Sequence, residues 1–281
     1  MNPASTPPPP PTPAPAPTPT SIPPRTPQSA APVRRRGPMA AVLLTETRLF
    51  LREPGSLFWI LAFPTVLLVV LGFVPAFKEA DENLGGRRVI DLYVPVSVLL
   101  AMIMAGLQAM PPVLTAYRER GILRRMSTTP VRPSALLTAQ ITLHGAAALG
   151  SALLVVAVGR VGYGVALPGQ LLGYALALLL AVAAVLSLGA TICALSRTTK
   201  AATAVGSVAY LAMMFTAGVW VPVQAMPDTL RRVVQLTPFG AASQALDQAA
   251  SGHWPSWAYL GVVALWTVIL GIAAGRLFRW Q

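Results

Sequence analysis

Six apolar runs, near Leu57–Phe77, Leu92–Leu114, Ala135–Val158, Leu167–Leu195, Thr203–Val221 and Trp257–Phe278, set the fold class of this 281-residue chain. Each is long enough to cross a bilayer, which takes about 20 helical residues. Hydrocarbon offers no hydrogen-bond partners, so a crossing segment must bond its own backbone, as a helix or within a closed barrel. Barrel strands would alternate in polarity over about ten residues, and these runs do not. Composition agrees: 54% of residues are hydrophobic and 11% charged, where a soluble chain carries about a quarter charged. The expectation is an all-α integral membrane protein with six transmembrane helices.

The net charge of +12 is a topology signal rather than a nucleic-acid footprint. Arg25, Arg34, Arg35, Arg36, Arg48 and Arg52 precede the first run; Arg118, Arg120, Arg124, Arg125 and Arg132 separate the second from the third. Arg197 and Lys200 lie between the fourth and fifth, and Arg276 and Arg279 at the C-terminal end. These fifteen fall on one side; Lys78, Arg87, Arg88, Arg160, Arg231 and Arg232 fall on the other. The bias predicts a multi-pass protein of the plasma (inner) membrane with both termini cytoplasmic. Some attraction to anionic membrane lipids follows; nucleic acid is not an expected partner.

The cytoplasmic segment Tyr117–Gln140 is the most informative of the connections. Tyr117–Arg125 reads as about two helical turns carrying Arg118, Glu119, Arg120, Arg124 and Arg125. Pro130 and Pro133 then interrupt it, and Pro133 suits the first position of the next helix. Charge alone favours an ordinary positive-inside loop. A rigid charged helix joined to two spans is also what a soluble motor would push on.

Residues 1–38 hold 15 of the 28 prolines and lack the continuous apolar stretch of a signal peptide; they are expected to form a disordered proline-rich cytoplasmic tail. Met39–Glu53 follows as one helix ended by Pro54. Val42, Leu43, Leu49 and Phe50 share a face, with Glu46 and Glu53 intruding on it. This is the pattern of an interfacial helix on the cytosolic leaflet.

The nine acidic residues fall outside the span interiors, which removes the usual chemistry of an ion-coupled carrier. Among mild polar groups within spans, Gln108 is the candidate for facing a substrate path, with Thr216 as a second. Gly271/Gly275 and Ala202/Gly206 are small-xxx-small pairs that permit close helix contact. Cys193 is an apolar filler, and His144 and His253 are too far apart in sequence to suggest a metal site. Between the fifth and sixth runs, Pro227 opens one short helix and Thr237-Pro238 a second that ends near Gly252. They read as short re-entrant helices capping a pathway; two amphipathic surface helices fit the pattern equally.

Glu119-Arg120-Gly121, Leu123-Arg124-Arg125, Thr129-Pro130-Val131 and Leu136-Leu137 stand in fixed order after the second run. Arg52-Glu53-Pro54, Tyr93-Val94-Pro95, Met226-Pro227, Pro238-Phe239 and Ala245-Leu246 flank other runs. In that order, over residues 39–281, the chain resembles ABC-2 type exporter membrane subunits, specifically daunorubicin-resistance-type permeases. Asp247 departs from the basic residue many relatives carry after Ala-Leu. The resemblance implies an N-terminal interfacial helix, a cytosolic coupling helix between spans 2 and 3, and a dimer of permease subunits on two ATPase subunits. It places Glu119, Arg120, Gly121, Arg124, Arg125 and Pro130 at the coupling helix, and Arg197 and Lys200 at a second ATPase contact.

The motor is expected on another chain. A P-loop needs Gly-Lys, and Lys78 and Lys200 follow Phe77 and Thr199. ATP and magnesium would therefore bind the partner, and no cofactor is expected in this chain, which is no enzyme by itself. The function these features point to is the permease of an ATP-driven efflux pump for amphipathic drugs or antibiotics, an antibiotic-resistance role. Export of a lipid or lipid-linked glycan is the alternative cargo, and a non-transporting scaffold the alternative class. No nucleophile–base pair supports an enzyme.

Overall fold

The computed structural model describes residues 38–84, 86–122, 125 and 134–277. Helix α1 runs Pro38–Phe50. The six helices long and apolar enough to cross a membrane are α2 (Pro54–Gly72), α3 (Val89–Glu119), α4 (Ser134–Tyr163), α5 (Leu171–Leu195), α6 (Thr199–Ala217) and α9 (Trp257–Leu277). Two shorter helices, α7 (Asp228–Val234) and α8 (Pro238–Ala250), lie between α6 and α9. A two-stranded hairpin, β1 (Ala80–Asp81) and β2 (Arg87–Arg88), joins α2 to α3 in antiparallel register, Ala80 opposite Arg88. The end of the bundle bearing α1 and the turn at Arg120–Gly121 is termed the elbow end, and the opposite one the hairpin end.

Helix α3 is the axis of the bundle. Its apolar window is 89% buried, against 17–39% for the other five spans. Helices α2, α4, α5 and α6 surround it, and α9 and α8 pack on α5. α1 lies along α4.

Prolines shape the two spans that deviate from regular helix. Pro64 cannot donate to the Ile60 carbonyl four residues back. The turn widens to a π-helical segment over Phe58–Ala62, with the N–H of Phe63 bonded to Phe58. The freed Ile60 carbonyl accepts the Ser151 hydroxyl of α4 at 2.7 Å. In α3, Pro111 and Pro112 likewise cannot serve Leu107 and Gln108, and a second π-helical segment runs Met104–Ala109.

At that second segment two neighbouring spans come into backbone contact with α3. A Cβ on Gly189 of α5 would lie 2.1 Å from the Gly106 carbonyl oxygen, and one on Gly206 of α6 would lie 2.7 Å from the Leu107 oxygen. The backbones therefore pack directly, as small residues permit. Gly206 thus packs closely on α3, and Ala202 one turn earlier is fully buried. Gly271 and Gly275 do not pack so closely: only Ser187 Oγ comes within 4 Å of a Cβ on the first, and nothing does on the second.

Several element boundaries differ from the sequence reading. Span 1 ends at Gly72 instead of continuing to Phe77, and Pro75 opens a separate 3₁₀ turn to Lys78. Span 5 ends at Ala217, because Gly218 takes φ +89°, the left-handed conformation that closes helices. Span 4 begins at Leu171. The helix expected over Tyr117–Arg125 is broken: α3 itself continues to Glu119, and Gly121 at φ +66° ends it. The amide of Arg125 then returns to the Gly121 carbonyl at 3.1 Å. The proline-rich tail, Arg124 and Pro130 lie outside the described residues.

Candidate functional sites

At the elbow end, the last turn of α3 is tied to its neighbours. The Tyr117 hydroxyl donates to Glu46 Oε2 of α1 at 2.9 Å, and Gln140 Nε2 of α4 donates to the same oxygen at 2.6 Å. Glu46, a carboxylate that spoils the apolar face of α1 in sequence, is thus buried among donors. Burial pushes its pKa above the ordinary carboxylate value, and the Tyr117 and Gln140 hydrogen bonds offset part of that rise. Beside it, His144 is buried against the Phe50 ring, and its Nδ1 lies 2.9 Å from the Gln140 carbonyl.

The neighbouring residues grip the α5–α6 connection. Arg118 donates to the carbonyls of Ser196 at 2.9 Å and Cys193 at 3.0 Å. The Glu119 carboxylate accepts the Thr199 amide at 2.9 Å and the Thr199 hydroxyl at 2.5 Å. Glu119 is exposed but turned back onto its own protein. Arg120, Arg125, Arg197 and Lys200 are exposed on the same end. The structure thus joins the two groups of expected coupling residues, Glu119 with the loop preceding Lys200.

Midway along the bundle, a cavity of about 440 Å³ is lined by Trp59 of α2, Met104 and Gln108 of α3, and Tyr210 of α6. Both π-helical segments contribute a wall residue or more to it. Among the described residues no carboxylate, lysine, arginine or histidine lines it, and the Gln108 amide makes no hydrogen bond. Thr216 does not line it: its hydroxyl bonds the Met213 carbonyl at 3.3 Å, near the end of α6. The two expected path residues are therefore not brought together. Periodicity could not have singled out Trp59 or Tyr210, because the partner helices meet only in the fold.

At the hairpin end, Arg87 makes a bidentate pair with Asp247 of α8. Arg88 binds Asp91 through Nε at 3.0 Å and the Tyr163 carbonyl at 3.0 Å, while Asp91 caps the first turn of α3 through the Arg88 amide. Thr237 caps α8 by accepting the Gly240 amide at 3.1 Å. Asp247, anomalous in sequence, thereby has a partner 160 residues away.

The sequence profile of the ABC-2 type transporter family matches residues 39–249, three quarters of the chain and all three of these sites. The chain belongs to the ABC-2 type transporter family. It is thus the membrane component of an ABC transporter, a multi-pass permease of a kind that works with an ABC ATPase. The match begins at α1 and ends within α8, so both the elbow of the permease and its Arg87–Asp247 pair belong to the shared region. No curated protein matches the chain closely enough to serve as a named relative.

Proposed function

We propose that this permease exports hydrophobic or amphipathic small molecules, powered by a separate ATPase subunit that docks at the elbow end. In this reading the elbow end is cytoplasmic, two permease copies form the membrane unit, and α7 and α8 cap the far side. The observation that carries the cargo class is the cavity at Gln108, with one free amide on a wall of Trp59, Met104 and Tyr210. Such a wall suits apolar bodies bearing a few hydrogen-bonding groups, and gives a strongly charged solute nothing to replace its water.

Docking is supported by the exposed cations Arg120, Arg125, Arg197 and Lys200 on one end. Arg124 and Pro130 join them in sequence. Co-expression with the cognate ATPase and reconstitution in liposomes tests both parts. Arg125→Glu and Arg124→Glu should each reduce co-purification of the ATPase while the permease still inserts. An anthracycline should stimulate hydrolysis by the wild-type complex, and Gln108→Leu should weaken that stimulation. Unchanged co-purification in both charge reversals would remove the docking site. Stimulation by lipid-linked glycan alone would replace the cargo class.

A further inference from the structure

Adjacent residues of α3 hold both sides of one short connection. Arg118 caps the C-terminal carbonyls of α5, at the negative end of that helix, and Glu119 caps the first amide of α6, at its positive end. The residues between, Ser196–Thr198, have little freedom left, since Thr198 also accepts the Ala201 amide at 3.1 Å. One residue earlier, Tyr117 holds α1 through Glu46, which Gln140 ties to α4. Two residues later, Gly121 turns at φ +66° with nothing within 4 Å of a Cβ position. The helix is gripped up to Glu119, and Gly121 ends it just beyond.

We infer that Arg118 and Glu119 are positioning residues that form a transmission clamp. Motion delivered beyond Gly121 passes to α5 and α6 together, because one turn of α3 carries both helix ends. This rests on the reading that an ATPase drives the permease from this end. It gives Glu119 a role different from docking: its carboxylate serves Thr199, not the partner subunit.

The test uses the permease–ATPase complex in lipid nanodiscs with three readouts: co-purification, ATP hydrolysis, and labelling of Leu236→Cys by a membrane-impermeant maleimide with and without ATP. Leu236 is exposed at the far end, and native Cys193 is fully buried and will not compete. Glu119→Ala should leave assembly and hydrolysis near wild type, yet shrink the ATP-dependent change in labelling about fivefold or more, as loss of a coupling between sites does. Thr199→Pro provides a second route. Proline suits a first helical position, and Thr198 at φ −130°, ψ 154° already has the backbone a following proline requires. That variant removes both donors to Glu119, so it should reproduce Glu119→Ala, and the double variant should be no worse than either. Glu119→Gln, which keeps an acceptor for the Thr199 amide, should recover part of the response. Loss of co-purification in Glu119→Ala would make it a docking residue and overturn the clamp. A full labelling response in both single variants would also overturn it. No ATP-dependent change in the wild type would bring down the ATP-driven reading itself, and the clamp with it.

Discussion

Gly189→Ala should destabilise the permease measurably, because the added methyl has no space to occupy. Its carbon would sit 2.1 Å from the Gly106 carbonyl oxygen and 2.8 Å from Met110 Cε. The methionine can move; the carbonyl belongs to the buried backbone of α3 and cannot. An ordinary contact needs over a further ångström, so α5 and α3 must part by about that much, and a gap of 0.5–1 Å forfeits roughly a quarter to a half of each contact it opens. Val185, which already closes on Gly106, would lose its packing in the same step. Overpacking of this sort costs about 3 kcal/mol, against which alanine returns about 1 kcal/mol of helix propensity over glycine. The net loss of about 2 kcal/mol should lower Tm by roughly 4–8 °C for a domain of this size. Thermal unfolding of purified permease in detergent, followed by intrinsic fluorescence, measures it. Gly261→Ala is the control: nothing lies within 4 Å of that Cβ, so its Tm should hold or rise slightly. A Gly189→Ala protein melting with the wild type would refute the direct backbone crossing.

Two further predictions concern the charged groups at either end. Loss of the Asp247 carboxylate in Asp247→Asn should cost about 1–2 kcal/mol, the value of a charge-assisted pair discounted because Arg87 keeps a third of its side chain in solvent; the exchanged pair Arg87→Asp with Asp247→Arg should recover more than half of the summed single losses in Tm. Glu46 holds its proton more tightly folded than unfolded, so its contribution to stability is full below about pH 4.5 and declines as pH rises through the elevated folded value. Melting curves from pH 4.5 to 7 should therefore fall more steeply for wild type than for Glu46→Gln, and parallel curves would show that the carboxyl is solvated.

What the sequence disclosed and what it hid divide along a physical line. Spans were legible because a bilayer demands length and apolarity, both local properties, and the cap of α8 was legible because Thr237 satisfies an amide three residues away. Helix contacts were legible only in part: Gly206 of the Ala202/Gly206 pair does pack on α3, but the other contacts were hidden. The Gly271/Gly275 spacing resembles a packing motif but has only Ser187 Oγ within 4 Å of a Cβ position, whereas Gly106, Gly189 and Gly206 share no spacing and meet where spans pack backbone to backbone. Spacing cannot report which face turns inward, still less where Pro111 and Pro112 shift the register of α3. The elbow misled in a related way. A run of charged residues looks helical throughout, but Gly121 adopts positive φ at no steric cost, and nothing in the neighbouring residues requires it to do so. Glu46 and Asp247 each looked misplaced until partners 71 and 160 residues distant were brought beside them.

The three sites share one helix, and that constrains how a signal could cross the permease. α3 begins beside the Arg87–Asp247 pair, lines the cavity through Gln108, and ends in the turn that holds α5 and α6. At its middle the supports are carbonyl oxygens against glycine backbones, with no side chain between them to absorb a displacement. A close-packed contact of that kind transmits strain rather than yielding to it. A shift of the elbow turn would therefore tilt α3 about the Gly106–Gly189 and Leu107–Gly206 contacts, opening or closing the Gln108 cavity against Trp59 and Tyr210. If so, Gly206→Ala should alter the ATP-dependent labelling of Leu236→Cys as well as Tm, while a substitution of equal thermal cost on the lipid-facing side of α9 should alter Tm alone. Equal labelling responses in the two would separate stability from transmission and remove α3 as the pivot.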